Sequence, residues 1–160
     1  MAHSSRPARS SWLLTGILLS LPAIVQAAET CPWLNNATAG GVLGGAVNVT
    51  VTHENANRDD ASCVFTHGAS ELRIAVETMD PPHSEYMKQS EQCGATTAPL
   101  KAIGNEAVVC SPDARSARVV GRVRTRIFEV QVTTAGASSA PDLLREKARA
   151  VAEQVAGFLF

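Results

Sequence analysis

Histidines, adjacent carboxylates, an arginine-dense segment and four cysteines are the side chains here with chemistry to offer. His53, Glu54, Asp59 and Asp60 share one polar stretch. A zinc site needs three or four donors converging at about 2.0–2.2 Å. His53 and Glu54 are neighbours rather than one helical turn apart, so their spacing does not aim both at one ion. His53 with His67 would serve a metal-binding protein or small metal-dependent hydrolase only if the fold brought them together. Asp59 and Asp60 point to opposite sides of any extended backbone, against a shared acid–base role. His67 and His83 read as isolated turn and helix-start residues. Neither a Gly-x-Ser-x-Gly elbow nor a glycine-rich phosphate loop with its lysine occurs. The residues therefore nominate no catalytic group and imply no cofactor.

Arg115, Arg118, Arg122, Arg124 and Arg126 make the densest charge cluster. In the strand register derived below, Arg118 and Arg122 share an outward face with Glu129 and Gln131. Guanidinium forks match carboxylate and phosphate geometry, so Arg118, Arg122, Arg124 and Arg126 are the candidate ligand- or partner-binding residues. The competing reading is a solvated face that keeps sheet edges from aggregating. Few aromatic residues interleave with these arginines, which argues against stacking on nucleic-acid bases.

Cys31, Cys63, Cys93 and Cys110 form no Cys-x-x-Cys pair, so a redox motif or zinc knuckle has no local support. Four cysteines allow three pairings. Cys31–Cys63 with Cys93–Cys110 is favoured: the second bond closes a short loop, and the first pins an otherwise loose amino-terminal segment to a strand. In the chain-entropy account a loop of 15 or so residues gains about 3 kcal/mol.

The positioning elements follow from period and punctuation. Asn36 caps a short helix that Gly44 stops. Val47, Val49 and Val51 alternate with polar residues as a half-buried strand. With Gly68-Ala69 as a turn, Phe65 faces Leu72, Cys63 faces Ile74 and Ala61 faces Val76, so strands are expected over 61–67 and 70–78; a slip of one residue would send that apolar set into water. A weak helix over 83–92 follows Pro81-Pro82, and 94–100 reads as a loop. A second hairpin turns at Arg124-Thr125, pairing Val119 with Val130, Ala117 with Val132 and Gly121 with Phe128. Those turn residues are poor for a tight hairpin, so a longer or bulged tip is allowed. A final helix is capped at Ser139, with Asp142 at its positive end and Leu144, Ala148, Val151, Val155 and Phe158 on the buried stripe. The sum is an α+β fold: an antiparallel sheet of about five to six strands, with the long carboxy-terminal and short amino-terminal helices on one face.

Ahead of this domain, Arg6 and Arg9 precede the apolar run Trp12–Leu21, and Val25 and Ala27 stand before a cut. That order predicts a secretory signal over 1–27, removed to leave a single domain over 28–160. Spanning a bilayer takes about 20 mainly apolar residues, and this run is shorter and broken by Pro22. The leader holds no Asp or Glu, so its removal leaves 12 Lys and Arg against 15 Asp and Glu. With 45% hydrophobic and 18% charged residues, the chain of 160 is neither disordered nor collagen-like. It also lacks the basic excess of a protein that binds nucleic acid by charge.

Several stretches together resemble small secreted or lipid-anchored bacterial domains of unassigned activity: Cys31-Pro32-Trp33-Leu34, Leu43-Gly44-Gly45, Cys63-Val64-Phe65, Leu72-Arg73-Ile74 and Ala102-Ile103-Gly104-Asn105-Glu106-Ala107. The resemblance covers most of the chain beyond the leader and implies a fold and an export route. Unlike the lipid-anchored members, this sequence has no cysteine at the cleavage point. The expectation is a secreted or periplasmic, non-catalytic module that binds a ligand or an envelope partner. The other classes carried forward are the histidine-dependent metal protein and a purely structural accessory of the envelope.

Overall fold

The computed structural model of the chain describes residues 30–53, 60–136 and 140–160. The leader, Glu54, Asp59 and Ser139 lie outside the described residues. In chain order the elements are α1 (Asn36–Leu43), β1 (Asn48–His53), β2 (Ala61–His67), β3 (Ser70–Thr78), α2 (Pro82–Glu91), β4 (Ala98–Pro99), β5 (Glu106–Asp113), β6 (Ser116–Val123), β7 (Arg126–Thr133) and α3 (Pro141–Leu159). The seven strands form one antiparallel sheet in the order β1-β2-β3-β7-β6-β5-β4. The α+β class stands, but the sheet has one strand more than five to six. The addition is the two-residue β4, inside the stretch read as a loop; Ala98 and Pro99 pair with Val109 and Val108.

Both hairpin registers match those derived from side-chain alternation. Cys63 pairs with Ile74 and Phe65 with Leu72, while Val119 pairs with Val130 and Gly121 with Phe128. The Phe128 ring lies where a Cβ on residue 121 would sit, 2.2 Å from its nearest carbon, so only glycine fits under it. The Arg124-Thr125 tip stays tight despite its composition. Arg124 adopts a φ of 56°, and its N–H donates to Asn105 Oδ1 at 2.6 Å. A distant loop thus stabilises a conformation that arginine seldom takes unaided.

The inner sheet face is apolar. Phe65, Leu72, Ile74, Val119, Phe128, Val130 and Val132 are fully buried there. Each such side chain contributes about 1.5–3 kcal/mol on leaving water. α3 covers β5, β6 and β7, and α1 covers β2 and β3 on the same side; Lys147 Nζ on α3 donates to the Val42 carbonyl of α1 at 2.7 Å. Three local expectations shift. Asn35, not Asn36, caps α1, its side chain accepting from the Thr38 N–H at 2.8 Å. α3 begins after Ala140 with no side-chain cap, Pro141 taking the position where a missing N–H costs nothing. Its stripe buries Ala152, Ala156 and Leu159, while Phe158 is 66% exposed.

Cys31 is bonded to Cys63 and Cys93 to Cys110, with Cα separations of 5.8 and 5.6 Å. Among the described residues no helix is long and apolar enough to cross a membrane.

Candidate functional site

Strand alternation that sends Val119, Gly121 and Val123 inward sends Arg118, Val120 and Arg122 outward. The register lines up the outer face in rows across the sheet. Arg73, Gln131, Arg118 and Cys110 form one row; Ala75, Glu129, Val120 and Val108 the next; Glu77, Ile127, Arg122 and Glu106 a third. α2 covers one part of this face, against β6 and β7. Tyr86 and Cys93 pack on Cys110, Val120 and Ile127 in a small apolar cluster separate from the main core.

Two devices fasten α2. Past its carboxy-terminal end, the Cys93–Cys110 disulfide joins it to β5. At its amino-terminal end, His83 Nδ1 lies 2.9 Å from Glu106 Oε1, and Arg122 Nε donates to the same oxygen at 2.6 Å. Partial burial pushes the Glu106 carboxyl up, but the hydrogen bonds and charges of His83 and Arg122 outweigh it and hold the group below its ordinary value. Burial, joined by the Glu106 carboxylate, raises the Tyr86 phenol against the opposing pull of Arg122. His83, isolated in the sequence, is therefore part of an ion-paired network. Pro81-Pro82, which place it at the start of a helix, were the local signal; its partner, 23 residues away, had none.

Where α2 stands away from the sheet there is a cleft of about 300 Å³. Ala75 and Ile127 give it a small apolar floor. Arg73, Glu77, Arg118 and Glu129 rise from the strands, and Glu85, Lys88, Gln89 and Gln92 descend from the helix side. Most of its charges are already satisfied. Arg118 Nη2 donates to Glu129 Oε2, Lys88 lies 3.5 Å from Glu85, and Gln89 donates to Glu85 at 3.3 Å. The Arg118 Nε is buried without an acceptor. A second depression of about 460 Å³, beside Trp33, Gly157 and Phe158, has fewer charged groups in its wall.

The four candidate arginines do not form one basic surface. Arg118 and Arg122 are ion-paired to Glu129 and Glu106; Arg124 sits exposed at the hairpin tip; Arg126 is half-buried at the first position of β7. Arg115 lies in the β5–β6 turn, where its backbone N–H, donating to Asp113 Oδ1 at 2.7 Å, holds that carboxyl below the usual carboxylate range. Only Arg118 lines the cleft; Arg73, which sequence reasoning passed over, lines it too.

His53 and His67 do not converge. His53 pairs with Ala61 at one end of the β1–β2 ladder, and His67 lies at the other end, beyond the Asn48–Thr66 pair. Six residues of extended chain put them about 20 Å apart. The His67 ring instead lies over Gly45, with Nδ1 2.9 Å from the Ala46 carbonyl oxygen. Asp60 is buried and structural, Oδ1 accepting from the Thr78 N–H and hydroxyl at 3.1 and 2.8 Å. Among the described residues no three His, Cys, Asp or Glu side chains gather to hold a metal ion.

Comparison with protein-family models, with curated proteins and with solved structures finds no match.

Proposed function

We propose that the chain is an exported, non-catalytic binding module, secreted or periplasmic, whose ligand or envelope partner engages the cleft between α2 and the outer sheet face. One observation carries the reading: polar side chains from three strands and one helix converge on a concave surface, on the side of the sheet opposite the apolar face that α1 and α3 cover. Ligand sites are concave and orient what they hold through convergent polar groups, and this cleft has both features. Two disulfides support maturation in an oxidising compartment, where such bonds persist.

The test uses protein recovered after export, with its intact mass expected to lack residues 1–27 and to show no free thiol. Amide resonances are followed during titration with pooled amino acids, sugars, sugar acids, nucleosides and inorganic anions. Saturable shifts confined to residues 73–77, 85–92 and 129–131, with the compound recovered unchanged, are expected. Shifts that map to the Trp33–Phe158 depression or the Arg124 tip, or consumption of a pooled compound, overturn the reading.

A further inference from the structure

The charges lining the cleft balance in number but not in engagement. Three cations (Arg73, Lys88, Arg118) face three carboxylates (Glu77, Glu85, Glu129). Glu129 is held by Arg118 and Glu85 by Lys88, and Glu77 is likewise engaged. Arg73 is exposed and has no hydrogen-bond or ion-pair partner among the described residues. It shares a cross-strand row with Gln131 and Arg118, which puts the two arginines about 10 Å apart across two strand spacings. The engaged carboxylates leave little for a cationic ligand to replace. With those pairs closed, Arg73 is the cleft cation open to a ligand, which calls for an anion. A single carboxylate matches the one open arginine fork, by two parallel N–H···O bonds.

The remaining lining defines what the carboxylate is attached to. Gln89 and Gln92 offer amide groups along one wall, the Gln89 amide also donating to Glu85, while Ile127 beneath is buried and the lining is mostly polar. That combination suits a compact molecule rich in hydroxyls with little apolar surface to bury. About 300 Å³ lies at the lower limit of ligand sites, enough for one monosaccharide-sized molecule. We infer that the cleft binds a small hydroxylated monocarboxylate of the sugar-acid class, with Arg73 receiving the carboxylate and Gln89 and Gln92 reading the hydroxyls. This inference rests on the cleft being the binding site.

The experiment titrates the disulfide-bonded protein with glucuronate, glucose, glucosamine and inorganic phosphate, following amide shifts. Glucuronate is expected to shift the cleft resonances saturably, with each other compound weaker by about tenfold or more. Arg73→Ala is expected to weaken glucuronate by a similar factor, Arg73→Lys to recover part of it, and Arg115→Ala, outside the cleft, to leave it unchanged. Arg73 has no partner to lose, so the dispersed spectrum of the free variant checks that it folds. Glucose or glucosamine matching glucuronate at the cleft overturns the carboxylate assignment and leaves the cleft standing as the site. Phosphate matching it shows that bare charge is recognised, with the same consequence. Glucuronate shifts lying outside the cleft, or unchanged by Arg73→Ala, overturn the inference, and the wider panel then judges the cleft separately.

Discussion

The two faces of the sheet solve different problems with the same strands. On the inner face Phe65, Ile74, Phe128 and Val130 disappear under α3 and α1, and nothing charged intrudes at its centre. On the outer face a single ten-residue helix sets Tyr86 into a cluster of five buried residues, and ion pairs take over where it stops. The inner face holds the fold; the outer face has polar groups to spare and a concavity to present. A binding surface is assembled where packing has been left incomplete.

Substitutions can test that division, beginning with the most damaging. Phe128→Ala should lower unfolding free energy by about 3–5 kcal/mol, because the ring is fully buried and lies on Gly121. A shift in the urea midpoint of under about 1 kcal/mol equivalent would show that the inner face is not the main source of stability. Replacing Cys93 and Cys110 together by alanine should cost about 3 kcal/mol from loop closure. Loss of cleft binding without much loss of the inner-face spectrum would sharpen the contrast.

Glu106→Gln should cost about 1 kcal/mol, as a partly exposed charge-assisted pair does. Its pH signature matters more. The folded-state value of Glu106 lies below its ordinary 4.5, so its stabilisation is complete above that value and is lost as pH falls through the folded one. Wild type should therefore lose stability more steeply than Glu106→Gln in the acid range below the ordinary value; parallel acid limbs would remove the network as a fastener of α2. The smallest effect should come from Arg124→Gly, which relieves a positive φ and gains about 0.5–1 kcal/mol in thermal unfolding.

Much of the inner face was legible in the sequence because it depends on local alternation. Cys63, Phe65, Leu72 and Ile74 announce their register through a period of two, and one slip would expose them all. The same alternation placed Arg118 and Arg122 outward with Glu129. It could not say that Glu106 reaches Arg122 or that His83 joins them, since those contacts depend on how α2 lands on the sheet. Arg73 went unnoticed for the same reason: alone on its strand it is an ordinary surface residue, and only the helix opposite makes it part of a cleft. The seventh strand escaped because two residues, one of them proline, carry no periodic signal. Phe158 misled because a helical stripe four residues wide can close on either of two neighbours, and the sheet took Leu159.

The turn at Arg124-Thr125 joins more of the chain than its size implies. Asn105 donates its N–H to the Arg122 carbonyl at 2.7 Å and accepts from Arg124, while the Met79 N–H donates to the Thr125 carbonyl at 2.9 Å. The connection leaving β3 and the loop entering β5 thus both tie into the tip of the β6–β7 hairpin. Solvent surrounds this turn, yet the Arg124, Asn105 and Met79 amides are held by bonds that open only when separate parts of the chain come apart. Hydrogen–deuterium exchange there should be slow, as in a core strand, and should track global unfolding rather than local fraying.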